Sequence, residues 1–138
     1  MDPATSPLQN HVSTPAPGVV SLTDALSFRA ARTPDRTAYV FLAEGEEEQD
    51  RLTYAALDAR ARAIAAALAR TCEPGERALL LYPPGLDFVA AFFGCLYAGV
   101  IAVPAYPPRS PRMMPRLLAI LADARPAVAL APAAALQR

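Results

Sequence analysis

The run from Gly94 to Arg109, Gly-Cys-Leu-Tyr-Ala-Gly-Val-Ile-Ala-Val-Pro-Ala-Tyr-Pro-Pro-Arg, limits most tightly how this chain folds. A helical stretch from Leu86 to about Ala98 is expected to end at Gly99, the residue best able to take the left-handed conformation that closes a helix. Val100 to Val103 is short and rich in β-branched residues, the pattern of a strand buried on both faces of a parallel sheet. Pro104, Pro107 and Pro108 cannot donate ladder hydrogen bonds, so the strand is expected to stop there and the chain to leave the sheet extended. The strand's carboxyl end then opens into a stiff loop. Phe88 to Ala105 is uncharged and close to the lower length of a membrane span. Gly94, Gly99 and Pro104 interrupt it, which favours a buried helix followed by a buried strand.

The flanking segments extend this pattern. Ser21 with Asp24 has the spacing of a capping box, and the helix that follows is expected to end at Thr33-Pro34, because the residue before proline resists the helical conformation. Thr37 to Leu42 reads as a strand, joined through an acidic turn, Glu44 to Asp50, to a shorter strand at Arg51 to Thr53. Thr53 can cap a helix in which Tyr54, Leu57, Ala61, Ile64 and Leu68 share one face, with Arg62 and Arg70 opposite and Arg60 on the flank. That helix stops near Cys72, before Glu73-Pro74-Gly75.

From Arg77 onward the expected order is strand to Tyr82, helix from Leu86, strand from Val100, helix from Pro115 to Ala124 and strand from Ala127 to Leu130. This βαβαβ alternation predicts an α/β fold, a mostly parallel sheet with helices packed on it through right-handed crossovers. Pro132 to Arg138 begins like another helix without a stop signal, so the fold is expected to be incomplete at its carboxyl end. Residues 1–20, with Pro3, Pro7, Pro15 and Pro17, read as a flexible leader, lacking the basic start and apolar core of a secretory signal. Residues 21–138 carry the folded portion.

Composition narrows the chemistry. The 13 basic residues balance the 13 acidic ones, which favours neither nucleic acid nor an anionic membrane as partner. Every basic residue is Arg; without Lys, Schiff-base chemistry, a P-loop lysine and a lysine that assists phosphoryl or acyl transfer are excluded within this chain. Cys72 and Cys95 fit reduced thiols of a cytosolic protein better than a disulfide or metal site. His11, alone of its kind, lies in the leader without a positioned partner.

Open parallel sheets bind ligands beyond the carboxyl ends of their strands, which directs attention to Tyr82–Gly85 and Pro104–Met114. Tyr82-Pro83-Pro84-Gly85 occupies the place of a phosphate-binding turn, but two prolines remove backbone donors that such a cradle needs, so a rigid turn is favoured. Arg109, Arg112 and Arg116 have the chemistry to meet a phosphate or an acidic carrier protein, against the simpler reading of a solvated basic loop. Glu46, Glu47, Glu48 and Asp50 lack the spacing and central glycine of a calcium loop and suit a hairpin tip. Tyr54 and Tyr97 fit core positions with a polar tip. No catalytic, cofactor-binding or metal residue is assigned from these patterns.

The chain resembles the adenylate-forming acyl ligases, and among them the fatty acyl-AMP ligases. The resemblance rests on Ala31-Arg-Thr-Pro-Asp-Arg-Thr-Ala-Tyr-Val-Phe41, Leu52-Thr-Tyr-Ala-Ala-Leu-Asp58, Gly75-Glu-Arg-Ala-Leu-Leu-Leu-Tyr-Pro-Pro-Gly-Leu-Asp-Phe88 and Phe92 to Pro108, agreeing in order from about Ser21 to Leu130. Leu52–Leu57 is similar to the first core motif of adenylation enzymes and Leu96–Pro107 to the second. Ala-Tyr-Pro-Pro after the strand points to the AMP-ligase branch. Ala55-Ala56 departs from relatives that carry an acidic residue there, weakening a helix start. The resemblance implies the amino-terminal part of the large domain of an enzyme using ATP and Mg²⁺ to convert a fatty acid to an acyl-adenylate. The acyl group then passes to the phosphopantetheine thiol of an acyl carrier protein, typically for polyketide, lipopeptide or complex lipid assembly. It also implies that the phosphate loop, the nucleoside contacts and the catalytic lysine lie downstream, so this chain alone is expected to bind no cofactor and to be inactive. An acyl-CoA ligase and a non-catalytic remnant acting as an interaction module remain as alternatives.

Overall fold

A computed structural model describes residues 18–43, 45 and 47–135. Most of the leader, with His11, falls outside them, as do Glu44, Glu46 and the last residues of Pro132–Arg138.

Helix α1 (Leu22–Arg32) starts as its sequence requires: the Asp24 amide donates to Ser21 Oγ at 3.1 Å. The return arm lands one residue early, with the Val20 amide donating to Asp24 at 3.3 Å. A hydrogen bond from the Ser21 hydroxyl to the Asp24 carboxyl, and next the one from the Val20 amide, hold that carboxyl below its usual range. Strands β1 (Thr37–Ala43) and β2 (Glu47–Thr53) form an antiparallel ribbon. Glu47, Glu48 and Asp50 therefore belong to a strand, where the sequence indicated a turn. Their side chains are exposed, and burial along β2 begins only at Leu52, so carboxylates carry no desolvation cost there. Glu48 pairs with Arg51 at 2.5 Å.

Helix α2 (Tyr54–Leu68) opens with the Ala56 amide donating to Thr53 Oγ1 at 3.2 Å and has no acid in its first turn, as Ala55-Ala56 implied. Beyond it come β3 (Arg77–Leu81), α3 (Leu86–Ala98), β4 (Ile101–Ala105), a 3-10 turn (Pro111–Met113), α4 (Met114–Ala124) and β5 (Val128–Leu130). A second 3-10 turn, Ala133–Ala135, stands where another helix was expected to begin. No helix among the described residues is long and apolar enough to cross a membrane.

Strands β3, β4 and β5 make a parallel sheet in the order β4-β3-β5. Helix α3 ends in Gly99 at φ 69°, with the amides of Gly99 and Val100 capping Leu96 and Cys95. One apolar cluster gathers Leu26, Leu52, Leu57, Ala61, Leu86, Ala90 and Phe93 between α1, α2, α3 and the ribbon. A second joins Leu68, Cys72, Ala91, Cys95 and Val100 to Ala78 and Leu80 of β3. Leu79 is buried as well and by strand alternation points to the opposite face.

Two expectations for β4 need correction. The strand is an edge, with Ile101 48% exposed, so it is not buried on both faces. It also runs through Pro104, which pairs in register with Leu80. The Ile101 amide donates inward to Glu76 at 2.8 Å. By two-residue alternation Val103 and Ala105 also face β3, whereas Ala102 and Pro104 face the open edge, where a missing N–H breaks no bond.

A polar knot ties three helices together. The Tyr97 hydroxyl (α3) donates to Asp58 (α2), and Ser27 Oγ (α1) lies 3.0 Å from the same hydroxyl. Arg62 donates to Asp58 at 2.7 Å and to Ser27 at 3.3 Å, and its guanidinium sits 4.9 Å from the centre of the Tyr97 ring. Burial, and next the bond to Asp58, hold the Tyr97 phenol above its ordinary range.

Candidate functional site

The sheet reverses direction at β3. The crossover through α3 leads to β4 on one side, and the crossover through α4 returns past β3 to β5 on the other. Right-handed connections running in opposite senses put α3 and α4 on opposite faces, so a crevice opens between the carboxyl ends of β3 and β4. A cavity of about 300 Å³ occupies that crevice, lined by Tyr82, Pro83, Pro84, Phe88, Pro104, Ala105 and Tyr106. Both loops singled out in the sequence contribute to it.

Its lining explains what it can accept. Tyr82 and Phe88 offer aromatic faces, while Pro83, Pro84 and Pro104 supply rigid walls and no amide hydrogens. Burial raises the Tyr82 phenol above its usual range, so it is a neutral hydroxyl at physiological pH. Gly85 begins α3 without a side-chain cap, and the turn before it lacks the successive N–H groups that cradle phosphate. The crevice therefore fits an apolar group and does not fit a triphosphate. Among the described residues no group of His, Cys, Asp and Glu is placed to hold a metal ion.

The other singled-out residues are dispersed. Cys72 and Cys95 are free, buried in the second apolar cluster, and burial pushes the Cys95 thiol up to about 11, leaving it protonated and unreactive. Tyr54 packs half-buried against the first cluster, and Tyr97 carries its polar tip into the knot. Arg60 pairs with Asp87 in the first turn of α3. Arg109, Arg112 and Arg116 are exposed beyond β4, and Arg116 lines a second hollow of about 150 Å³ together with Tyr106, Met113, Leu117, Ile120, Pro104 and Ala105. Tyr106 belongs to the Pro104–Met114 loop that the sequence singled out, whereas Phe88, in the first turn of α3, was not anticipated as a site residue. Its signal was the strand order, which two adjacent βα units alone do not give.

A family model described as AMP-binding enzyme matches residues 26–138. The chain is 52% identical over 117 residues to the medium-chain-fatty-acid–[acyl-carrier-protein] ligase JamA of Moorena producens, covering 83% of this chain and 20% of that protein. It is 44% identical over 100 residues to the long-chain-fatty-acid–AMP ligase FadD32 of Mycolicibacterium smegmatis, covering 70% and 16%. The crystal structure of a fatty acid AMP ligase from Legionella pneumophila superposes with a TM-score of 0.79 at 41% identity, over 85% of this chain and 20% of that one. The chain thus spans about a fifth of the length of the relatives it matches.

Proposed function

The chain belongs to the AMP-binding enzyme family, and from that membership we infer that it forms the amino-terminal part of the large domain of a fatty acyl-AMP ligase. The observation that carries this reading is the 52% identity to the fatty-acid–[acyl-carrier-protein] ligase JamA. The full-length enzyme joins a fatty acid carboxylate to the α-phosphate of ATP with Mg²⁺, releases pyrophosphate and passes the acyl group to the thiol of an acyl carrier protein. Two unpaired, buried cysteines suit a cytosolic enzyme.

In that enzyme these residues supply scaffold and an apolar crevice. Stabilising charge on a transferring phosphoryl group needs cations and aligned donors, and the crevice, lined by aromatic rings and prolines, offers neither. Triphosphate chemistry therefore falls to other parts of the protein.

The full-length enzyme carrying this chain is expected to exchange labelled pyrophosphate into ATP only when a fatty acid is present; absence of exchange overturns the reading. Offered both acceptors, it is expected to place the thioester on a carrier protein, and accumulation on CoA would instead make it a CoA ligase. The 138-residue chain by itself is expected to show no exchange.

A further inference from the structure

Between Asp87 and Asp123 the only charged side chains are Arg109, Arg112 and Arg116. All three are exposed, and among the described residues none holds a carboxylate, whereas Arg51, Arg60 and Arg62 each do. They fall within one short stretch of chain. Arg109 precedes the 3-10 turn, Arg112 lies within it and Arg116 stands in the first turn of α4. Asp123 follows Arg116 by nearly two helical turns, about 10 Å along the axis, too far to pair.

Apolar side chains are interleaved with these cations. Tyr106 is 69% and Leu118 55% exposed, and Met113 and Met114 are exposed beside them. Arg, Tyr and Met are the side chains enriched where proteins dock, and exposed apolar surface rimmed by charge marks such places. The 150 Å³ hollow between Tyr106, Met113, Arg116 and Ile120 is concave and has room for one aliphatic side chain.

We propose that Tyr106–Leu118 is the docking surface for an acidic helix of the carrier protein, its carboxylates on the three guanidinium groups and one apolar side chain seated in the hollow. This rests on the ligase reading above for the partner's identity. Charge complementarity selects an acidic partner, and the concave hollow favours a protruding side chain over a flat lipid surface.

The test measures binding of an apo acyl carrier protein of net negative charge to the full-length enzyme by fluorescence anisotropy. Replacing all three residues, Arg109→Glu, Arg112→Glu and Arg116→Glu, is expected to raise Kd at least tenfold and to remove the weakening of binding between 50 and 300 mM NaCl. An unchanged melting temperature would show that the variant folds. The control Arg36→Glu with Arg70→Glu, on other elements, is expected to leave Kd within twofold. Tyr106→Ala is expected to weaken binding severalfold without altering the salt response. Wild-type affinity in the triple variant overturns the proposal, and so does an equal loss in the control. Arginine-dependent binding to phosphatidylglycerol vesicles with none to the carrier overturns it in favour of a membrane. If pyrophosphate exchange is present while the triple variant binds normally, docking fails and the ligase reading stands. If exchange is absent while binding still depends on the arginines, the reverse holds.

Discussion

Gly94 of α3 lies directly against Ile64 of α2: a Cβ added at Gly94 would come within 2.5 Å of Ile64 Cγ2 and 2.7 Å of its Cβ. The Ala61 carbonyl, at 3.2 Å, closes the remaining space. The two helices approach here as only a glycine permits. Gly94→Ala is accordingly expected to destabilise the fold by about 1–3 kcal/mol through overpacking, measured by urea unfolding. Combining it with Ile64→Ala should recover part of that loss, and a strictly additive double variant would show that the contact is not the cause.

Tyr97→Phe removes the hydroxyl that links α3 to Asp58 and Ser27 while leaving the ring under Arg62. A cost of about 1 kcal/mol is expected, because Asp58 keeps its bond to Arg62. Asp58→Ala should cost more, since it strips both partners at once. Thermal unfolding of the two single variants and the double would give a coupling energy, and a value near zero would dissolve the knot as a stabilising unit.

The two thiols give a pH-dependent prediction. The Cys95 thiol is raised from 9.0 to about 11 by burial first and by Cys72 second. Its contribution to stability is complete below pH 9, where both native and unfolded thiols are protonated, and is lost as pH rises toward 11, because the unfolded chain releases the proton first. The ceiling is about 2–3 kcal/mol. Melting temperature should fall over pH 9–11 less steeply in Cys95→Ala than in the wild type. At pH 8 neither thiol should react with a disulfide reagent until denaturant is added.

Helix ends offer a pair of opposed substitutions. Arg125 closes α4 at φ 45°, a left-handed conformation that strains a side chain, and Gly99 closes α3 at φ 69°, where no strain arises. Arg125→Gly is expected to stabilise by several tenths of a kcal/mol, and Gly99→Ala to destabilise by about 1 kcal/mol. Opposite signs in calorimetry would bear this out.

Local chemistry made much of this fold legible. Ser21, Thr53 and Gly99 mark helix ends because a side-chain oxygen or a missing Cβ acts within one turn. The βαβαβ alternation likewise announced the parallel sheet. What periodicity could not supply was strand order: nothing in Val100–Val103 says that β4 is an edge, since β-branched residues suit edge and centre alike. The acidic stretch at Glu47–Asp50 looked like a turn because strand propensity presumes a half-buried surface, and this ribbon has none over those residues. Crevice and knot alike depend on contacts between residues far apart in sequence, as between Ser27 and Tyr97. The family resemblance was legible, resting on whole segments such as Gly75–Phe88.

Pro104 on the open edge of β4 bears on how this sheet meets others. An exposed, apolar strand with free backbone groups is a template on which a second molecule can add a strand and begin aggregation. Of the two outward positions in β4, only Ala102 retains an N–H, so an incoming strand finds half the donors it would need. The proline that shapes the mouth of the crevice thereby also makes this edge a poorer template for strand addition.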